Sequence, residues 1–391
     1  MRVYLRSSVC DLADSALMRV VVCPDKFAGT LSAVAAARAL AEGWRAGAPG
    51  DTVIARPLAD GGPGFLTVLE AATGGRRVPV PTVDPLGRPV AGWALVTDAA
   101  AYLESAQACG LHLLAAPERD PKRTTSYGLG LLLAAAAATG VREIVVGLGG
   151  SATNDGGAGM LAALGAEPVD AAGHALPPGG AALRAVAGLR GASKLPQVTL
   201  VAATDVDNPL RGPHGASAVF GPQKGATAED VALLEAGLAR FAAVLERELP
   251  ACPEGLADLP GGGAAGGLGA ALLALGGHCE SGIALVRDLT GLDAAVDSAD
   301  LVITGEGSFD SQSLRGKVVA GVAAAARERG LPCLVVAGRV AVAPSEARAA
   351  GVSGAWSLVD HFGGDVEQAM TRPAAGLREL GARLAARWAG A

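Results

Sequence analysis

At 391 residues, 50% of them hydrophobic and 18% charged, the chain is long enough for two packed domains and too apolar to be disordered. A formal charge of −6 at pH 7, with no Lys/Arg run, excludes a nucleic-acid footprint. Mean hydropathy is +0.37, yet the longest apolar candidate, Leu129 to Ala138, is too short to span a bilayer. Aromatic residues make up 3%, so the core must be built from Ala, Val and Leu. The six cysteines form no C-x-x-C or Cys/His cluster, which argues against a zinc site or redox pair and fits reduced cytoplasmic thiols.

In chain order, residues 1–17 carry basic residues but no apolar h-region before Asp11 and Asp14. Met18-Arg19-Val20 repeats Met1-Arg2-Val3, so residues 1–17 read as an upstream-start extension outside the fold. Arg19 to Cys23 is a β-branched strand, followed by Asp25, Lys26 and an Ala-rich helix capped by Thr30 or Ser32. Thr52 to Pro57 is the next strand and delivers Asp60 and Gly61. Strand, helix and strand form a βαβ unit, which implies a parallel sheet with ligands beyond the strands' carboxyl ends. Residues 76–81, 89–97 and 100–104 read as short strands of more antiparallel texture, and helices are expected at about 107–115 and 126–139.

Ile144 to Val146 is a buried strand that breaks into a loop bearing Gly147, Gly149, Gly150, Ser151, Thr153, Asn154, Asp155, Gly156 and Gly157. A glycine-rich strand-to-helix turn brings backbone N–H groups close to an anion and adds a helix dipole, so a phosphate-binding loop is expected. Gly147, Gly149 and Ala152 also spell G-x-G-x-x-A with Glu167 downstream, the outline of a dinucleotide-dependent dehydrogenase, but Asn154 to Gly157 interrupt the required helix. The Walker A pattern is absent.

Val198 to Ala203 is a strand delivering Asp205, Asp207 and Asn208, which suits a divalent cation or a general base as well as an ordinary turn. A polar turn at 220–225 precedes a long amphipathic helix from about Ala228 to Arg247. A second glycine-rich loop, 261–269, contains Gly266 and Gly267. Leu301 to Thr304 is a strand ending in a loop with Glu306 and Asp310, and a helix opens with Arg315-Gly316-Lys317. A last helix runs from about Ala374 to Trp388. The expected fold class is α/β, with two domains. A doubly wound, Rossmann-like parallel-sheet domain, residues 18–74 and 288–391, is interrupted by an inserted α/β domain with a mixed sheet, residues 75–287.

The stretches PDKFAGTLSA, LADGG, TTSYGLG, GLGGSATNDGGAGML, DVDNPL, GPQKGA, GAAGGLGAAL and TGEGSFDSQ, in this order, resemble the bacterial glycerate kinase family that lacks a P-loop. The resemblance covers essentially the whole chain from Met18. It implies ATP- and Mg²⁺-dependent phosphorylation of D-glycerate, typically to 2-phosphoglycerate, in the cleft between two α/β domains. The implied partner is a small hydroxy acid, with no nucleic acid or membrane, and the enzyme would be a monomer or homodimer. The chain departs from the family pattern at Ala28, where a lysine is common, and at Pro63 and Phe65, which replace an acid and a threonine. Ser308 also departs from the usual continuation. These changes bear on which hydroxy acid is accepted.

Phosphoryl transfer needs positioning and charge neutralisation more than covalent chemistry. The triphosphate is therefore expected at Gly149 through Gly157, with Gly266 and Gly267 as further contacts. Mg²⁺ is expected on Asp205 or Asp207. Asp205, then Asp310, is the expected base. Lys26, Arg315 and Lys317 would meet the acceptor carboxylate, and Asp25, Asp60 and Glu306 its hydroxyls.

Overall fold

The computed structural model describes residues 17–27, 29–314 and 318–389. Residues 1–16 of the expected extension, Ala28, Arg315 and Lys317 lie outside the described residues. The chain forms two compact units. One holds the described residues up to Ala59, Thr67–Thr73 and those from Ile283 onward, and the other holds Asp60–Leu66 and Gly74–Gly282.

The first unit is built on a five-stranded parallel sheet. Its order is Gly354–Ser357, Cys333–Val340, Leu301–Phe309, Arg19–Val22, Thr52–Ala55. Val20, Val21 and Val22 are fully buried, as β-branched residues covered on both faces of a parallel sheet should be. The helix Ala33–Gly47 starts at Ser32, whose hydroxyl accepts from the Ala35 amide at 3.2 Å. It packs on Pro373–Ala389 so closely that a Cβ at Gly43 would lie 2.2 Å from the Arg378 carbonyl oxygen. Sheet growth reverses between Arg19–Val22 and Leu301–Phe309, a topological switch point.

The strand expected at Leu301–Thr304 continues to Phe309, pairing with its neighbour as far as Val340. Gly305, Gly307 and Gly338 are in-sheet glycines at a close backbone approach rather than loop signals. A Cβ at Gly305 would lie 2.0 Å from the Val336 carbonyl oxygen. Glu306 therefore projects from a strand.

The second unit is built on a six-stranded mixed sheet. Its order is His278–Glu280, Thr199–Ala203, Glu143–Gly147, Ala101–Glu104, Pro89–Val96, Arg76–Val83. The first four strands are mutually parallel and the last two join antiparallel. The turn of the closing hairpin is held by Asp84, whose carboxylate accepts from the Leu86 and Arg88 amides at 2.8 and 2.9 Å. The helix Ala228–Glu248 opens on a capping box of Thr227 and Asp230. The helix expected at 107–115 shortens to Ala106–Cys109 and a 3₁₀ turn at Leu111–Leu113. There the backbone pairs instead with the glycine-rich loop, Ala152 N–H to Cys109 O at 2.7 Å and Leu111 N–H to Gly150 O at 2.8 Å. No described helix is long and apolar enough to cross a membrane.

Candidate active site

The four parallel strands of the second unit end level with one another, Glu104 opposite Gly147, Gly147 opposite Ala203, and Ala203 opposite Glu280. The Asp60–Leu66 segment crosses these carboxyl ends. A Cβ at Gly147 would lie 2.4 Å from the Gly61 carbonyl oxygen, and one at Gly149 would lie 2.4 Å from Gly62 Cα. Glycine is required here because two backbones touch. The buried Glu104 carboxylate accepts from the Gly64 amide at 3.0 Å, and Asp60 Oδ1 accepts from the Gly62 amide at 3.1 Å. Of the departures from the family pattern, Phe65 is a core residue stacked edge-on with Tyr102, whereas Pro63 packs beside Gly150.

The glycine-rich turn after Gly147 divides into two parts. Gly149 is half-buried and Gly150 exposed, and among the described residues neither N–H has a hydrogen-bond partner. Residues 151–158 run inside the unit. The following helix, Ala158–Ala163, has only six residues, and its start is already filled by an anion of the chain itself. Asp155 accepts from the Gly157 and Gly159 amides at 3.1 and 3.2 Å, and from the Ser126 amide and hydroxyl at 2.8 and 2.9 Å. Burial pushes the Asp155 carboxyl up, against the opposing pull of those hydrogen bonds.

Asp155→Ala would strand the buried amides of Ser126 and Gly157, each costing about 1–3 kcal/mol, and the half-buried amide of Gly159. We expect a clearly lower urea midpoint with an unchanged denaturant slope. An unchanged midpoint would mean that water replaces the carboxylate. The dinucleotide outline of Gly147, Gly149 and Ala152 meets no helix start at the distance it needs, because Asn154 to Gly157 lie between.

Gly266 and Gly267, expected at the donor, lie inside the unit with φ of 72° and 96°. A Cβ at Gly266 would sit 2.0 Å from the Thr153 carbonyl oxygen, and one at Gly267 would sit 2.7 Å from Gly156 Cα. The two glycine-rich segments thus pack on each other, and smallness serves contact between backbones. Thr153 and Asn154 are fully buried, and Asn154 Nδ2 donates to Ser217 Oγ at 3.0 Å. Among the described residues Thr153 Oγ1 and Asn154 Oδ1 have no hydrogen-bond partner.

Sequence reasoning passed over Lys224. It lies in the 3₁₀ turn Pro222–Lys224, 2% exposed, and its ammonium donates to Ser151 Oγ at 3.0 Å and the Thr153 carbonyl at 2.7 Å. Burial lowers its pKa to about 7, although Asp155 and Cys109 nearby pull it up. A lysine in a short Pro/Gly turn gives no sign in the sequence of facing inward.

At the end of Thr199–Ala203, Asp205 is half-buried and its Oδ1 accepts from Ser281 Oγ at 2.7 Å. A Cβ at Gly282 would lie 2.9 Å from the Asp60 carbonyl oxygen and 3.3 Å from Asp205 Oδ2, so the Asp60 main chain and the Asp205 carboxylate both border Gly282. Asp207, two residues on, is exposed. Among the described residues no group of three or more His, Cys, Asp or Glu side chains is placed to hold a metal. Magnesium does not ask for one, since it commonly takes one or two carboxylates and completes its shell with phosphate oxygens and water.

In the first unit, the Asp25 amide donates to the Gly305 carbonyl at 2.8 Å, which sets Asp25 and Lys26 at the switch point beside the Glu306 strand. Lys26 Nζ pairs with Asp25 Oδ1 at 3.6 Å. Asp310 closes a turn beyond that strand, its Oδ1 accepting from the Gln312 amide at 2.9 Å.

Each unit thus carries polar groups at the carboxyl ends of its own parallel strands, the place where α/β enzymes bind small molecules. The glycerate kinase family model matches residues 20–389, and the chain belongs to that family. It is 42% identical to a glycerate kinase of Bacillus subtilis (strain 168), covering 88% of this chain and 90% of that one. It is 40% identical to a glycerate 2-kinase of Escherichia coli (strain K12), covering 88% and 92%. A solved structure of a glycerate kinase 2 from Salmonella typhimurium LT2 superposes with a TM-score of 0.78 at 40% identity, covering 95% of this chain and 98% of that one.

Proposed function

We propose that the chain transfers the γ-phosphate of ATP to D-glycerate, giving 2-phosphoglycerate. The observation that carries this reading is the level sheet edge of the second unit, which sets the unpartnered amides of Gly149 and Gly150 on the same rim as Asp205. The amides receive donor phosphate oxygens, with Ser151 behind them. Asp205, oriented by Ser281, takes the proton of the acceptor hydroxyl as its oxygen bonds to the γ-phosphorus. The bond from that phosphorus to the bridging oxygen breaks, and ADP leaves with the electron pair. With Asp205 as the base, Asp207 would hold Mg²⁺ as a single carboxylate ligand; with Asp310 as the base, Asp205 would hold it, and in either case bound Mg²⁺ would supply neutralisation of phosphate charge. The acceptor's carboxylate is assigned to Lys26, Arg315 and Lys317, and its hydroxyls to Asp25, Asp60 and Glu306.

The name of the Escherichia coli relative supports the 2-phosphate over its isomer. A coupled ADP-release assay with Mg²⁺-ATP against D-glycerate, tartronate and erythronate tests the substrate, and phosphorus NMR of the product tests the position. D-Glycerate is expected to give the highest kcat/KM. A clear preference for another acid would reassign the substrate while leaving the phosphotransfer.

A further inference from the structure

Lys224 does what no apolar core residue would do. Its ammonium is fully buried, and both of its hydrogen bonds go to Ser151 and Thr153, just behind the exposed Gly149–Gly150 corner. The groups facing it are Asp155 of the same turn and the Cys109 thiol at the end of Ala106–Cys109. Asp155 is already satisfied by Ser126, Gly157 and Gly159, so Lys224 is not its required partner. Desolvating an ammonium is costly, and an unbranched apolar side chain would fill the same space without that cost.

We propose that Lys224 is a positioning residue for the donor phosphates, its buried ammonium holding Ser151 and Thr153 from beneath the turn and serving as counter-charge to the anion received by Gly149 and Gly150. The inference rests on Gly149 and Gly150 being the donor corner. An anion arriving there stabilises the protonated lysine and raises its pKa from about 7. At pH 7 the protein therefore takes up a fraction of a proton on binding nucleotide, and affinity weakens as pH climbs above 7. A one-unit rise makes binding at pH 7 about fivefold tighter than with a neutral residue at position 224.

The test is calorimetric titration of ADP with Mg²⁺ at pH 7, in two buffers of different ionisation enthalpy. It compares the wild-type protein, Lys224→Met and Gly150→Val. Proton uptake should appear in the wild type and be lost in Lys224→Met, which should bind ADP at least about fivefold more weakly. Its melting temperature should hold or rise, since an apolar residue of similar shape replaces a buried charge. If Lys224→Met fails to fold, Lys224→Gln keeps a donor for Ser151 or Thr153 without the charge and carries the same expectation. Early melting with wild-type ADP affinity and proton uptake would make Lys224 a mere strut and overturn the inference. If Gly150→Val abolishes ADP binding while the Lys224 variants bind normally, only this inference fails. If Gly150→Val also binds normally, the donor corner itself is wrong.

Discussion

Asp205→Asn is expected to lower kcat by at least about two orders of magnitude while the melting temperature hardly moves. Asparagine keeps the shape of the turn, and its Oδ1 can still accept the Ser281 hydroxyl that Asp205 accepts at 2.7 Å. What disappears is the charge and the capacity to take a proton. A positioned acid-base group typically contributes about 10²- to 10⁴-fold. Asp207→Asn, made in parallel at an exposed position, should cost far less. A displaced Mg²⁺ dependence in either variant would mark that carboxylate as the metal ligand. If Asp205→Asn turned over normally but melted early, Asp205 would be a structural turn. The base would then be sought at Asp310, whose carboxylate, among the described residues, accepts from the Gln312 amide of its own turn.

The longer strands were legible where their buried residues are β-branched, whereas the three-residue strands His278–Glu280, Glu167–Val169 and Gly188–Arg190 were not. Arg19–Val22 and Glu143–Gly147 carry unbroken Val and Ile runs, which suit a parallel sheet covered on both faces. The parallel sheet, the mixed sheet and the antiparallel pair at 76–96 followed from that pattern and from turn residues. The glycines were harder to read, because glycine in a sequence does not say which kind of closeness it permits. At Gly305 it admits a neighbouring strand, at Gly266 it admits the Thr153 carbonyl, and at Gly149 it admits Gly62. Gly305 and Gly266 read as loop or phosphate signals, yet each is explained by backbone contact inside its own unit, whereas Gly149 touches Gly62 through its α-carbon and, among the described residues, leaves its amide open. Asp155 likewise reads as a loop residue at the donor phosphates, not as the anion that fills the helix start. Lys224 was invisible, since its partners Ser151 and the Thr153 carbonyl lie some seventy residues earlier in the chain.

Gly150→Val is expected to raise the ATP KM at least about tenfold and to move the glycerate KM much less. Gly150 has φ of 70°, a left-handed conformation that costs a β-branched residue about 1–2 kcal/mol. Its Cβ would lie 3.0 Å from the Cδ and Cγ of Pro63, so the proline ring must give by a few tenths of an ångström. The position is exposed, and the turn remains anchored behind it by Asp155, Lys224 and the Cys109 carbonyl, so the damage should stay local. Valine's methyl groups then cover the amides of Gly149 and Gly150, and losing even one hydrogen bond to a charged phosphate costs about 1.5–3 kcal/mol. Each 1.4 kcal/mol is about tenfold in affinity. Initial-rate kinetics with each substrate varied at saturating levels of the other make the separation. Lost glycerate affinity with unchanged ATP affinity would take the donor away from this corner. The second glycine-rich segment is a poor substitute, because Gly266 and Gly267 are already spent against residues 153–156.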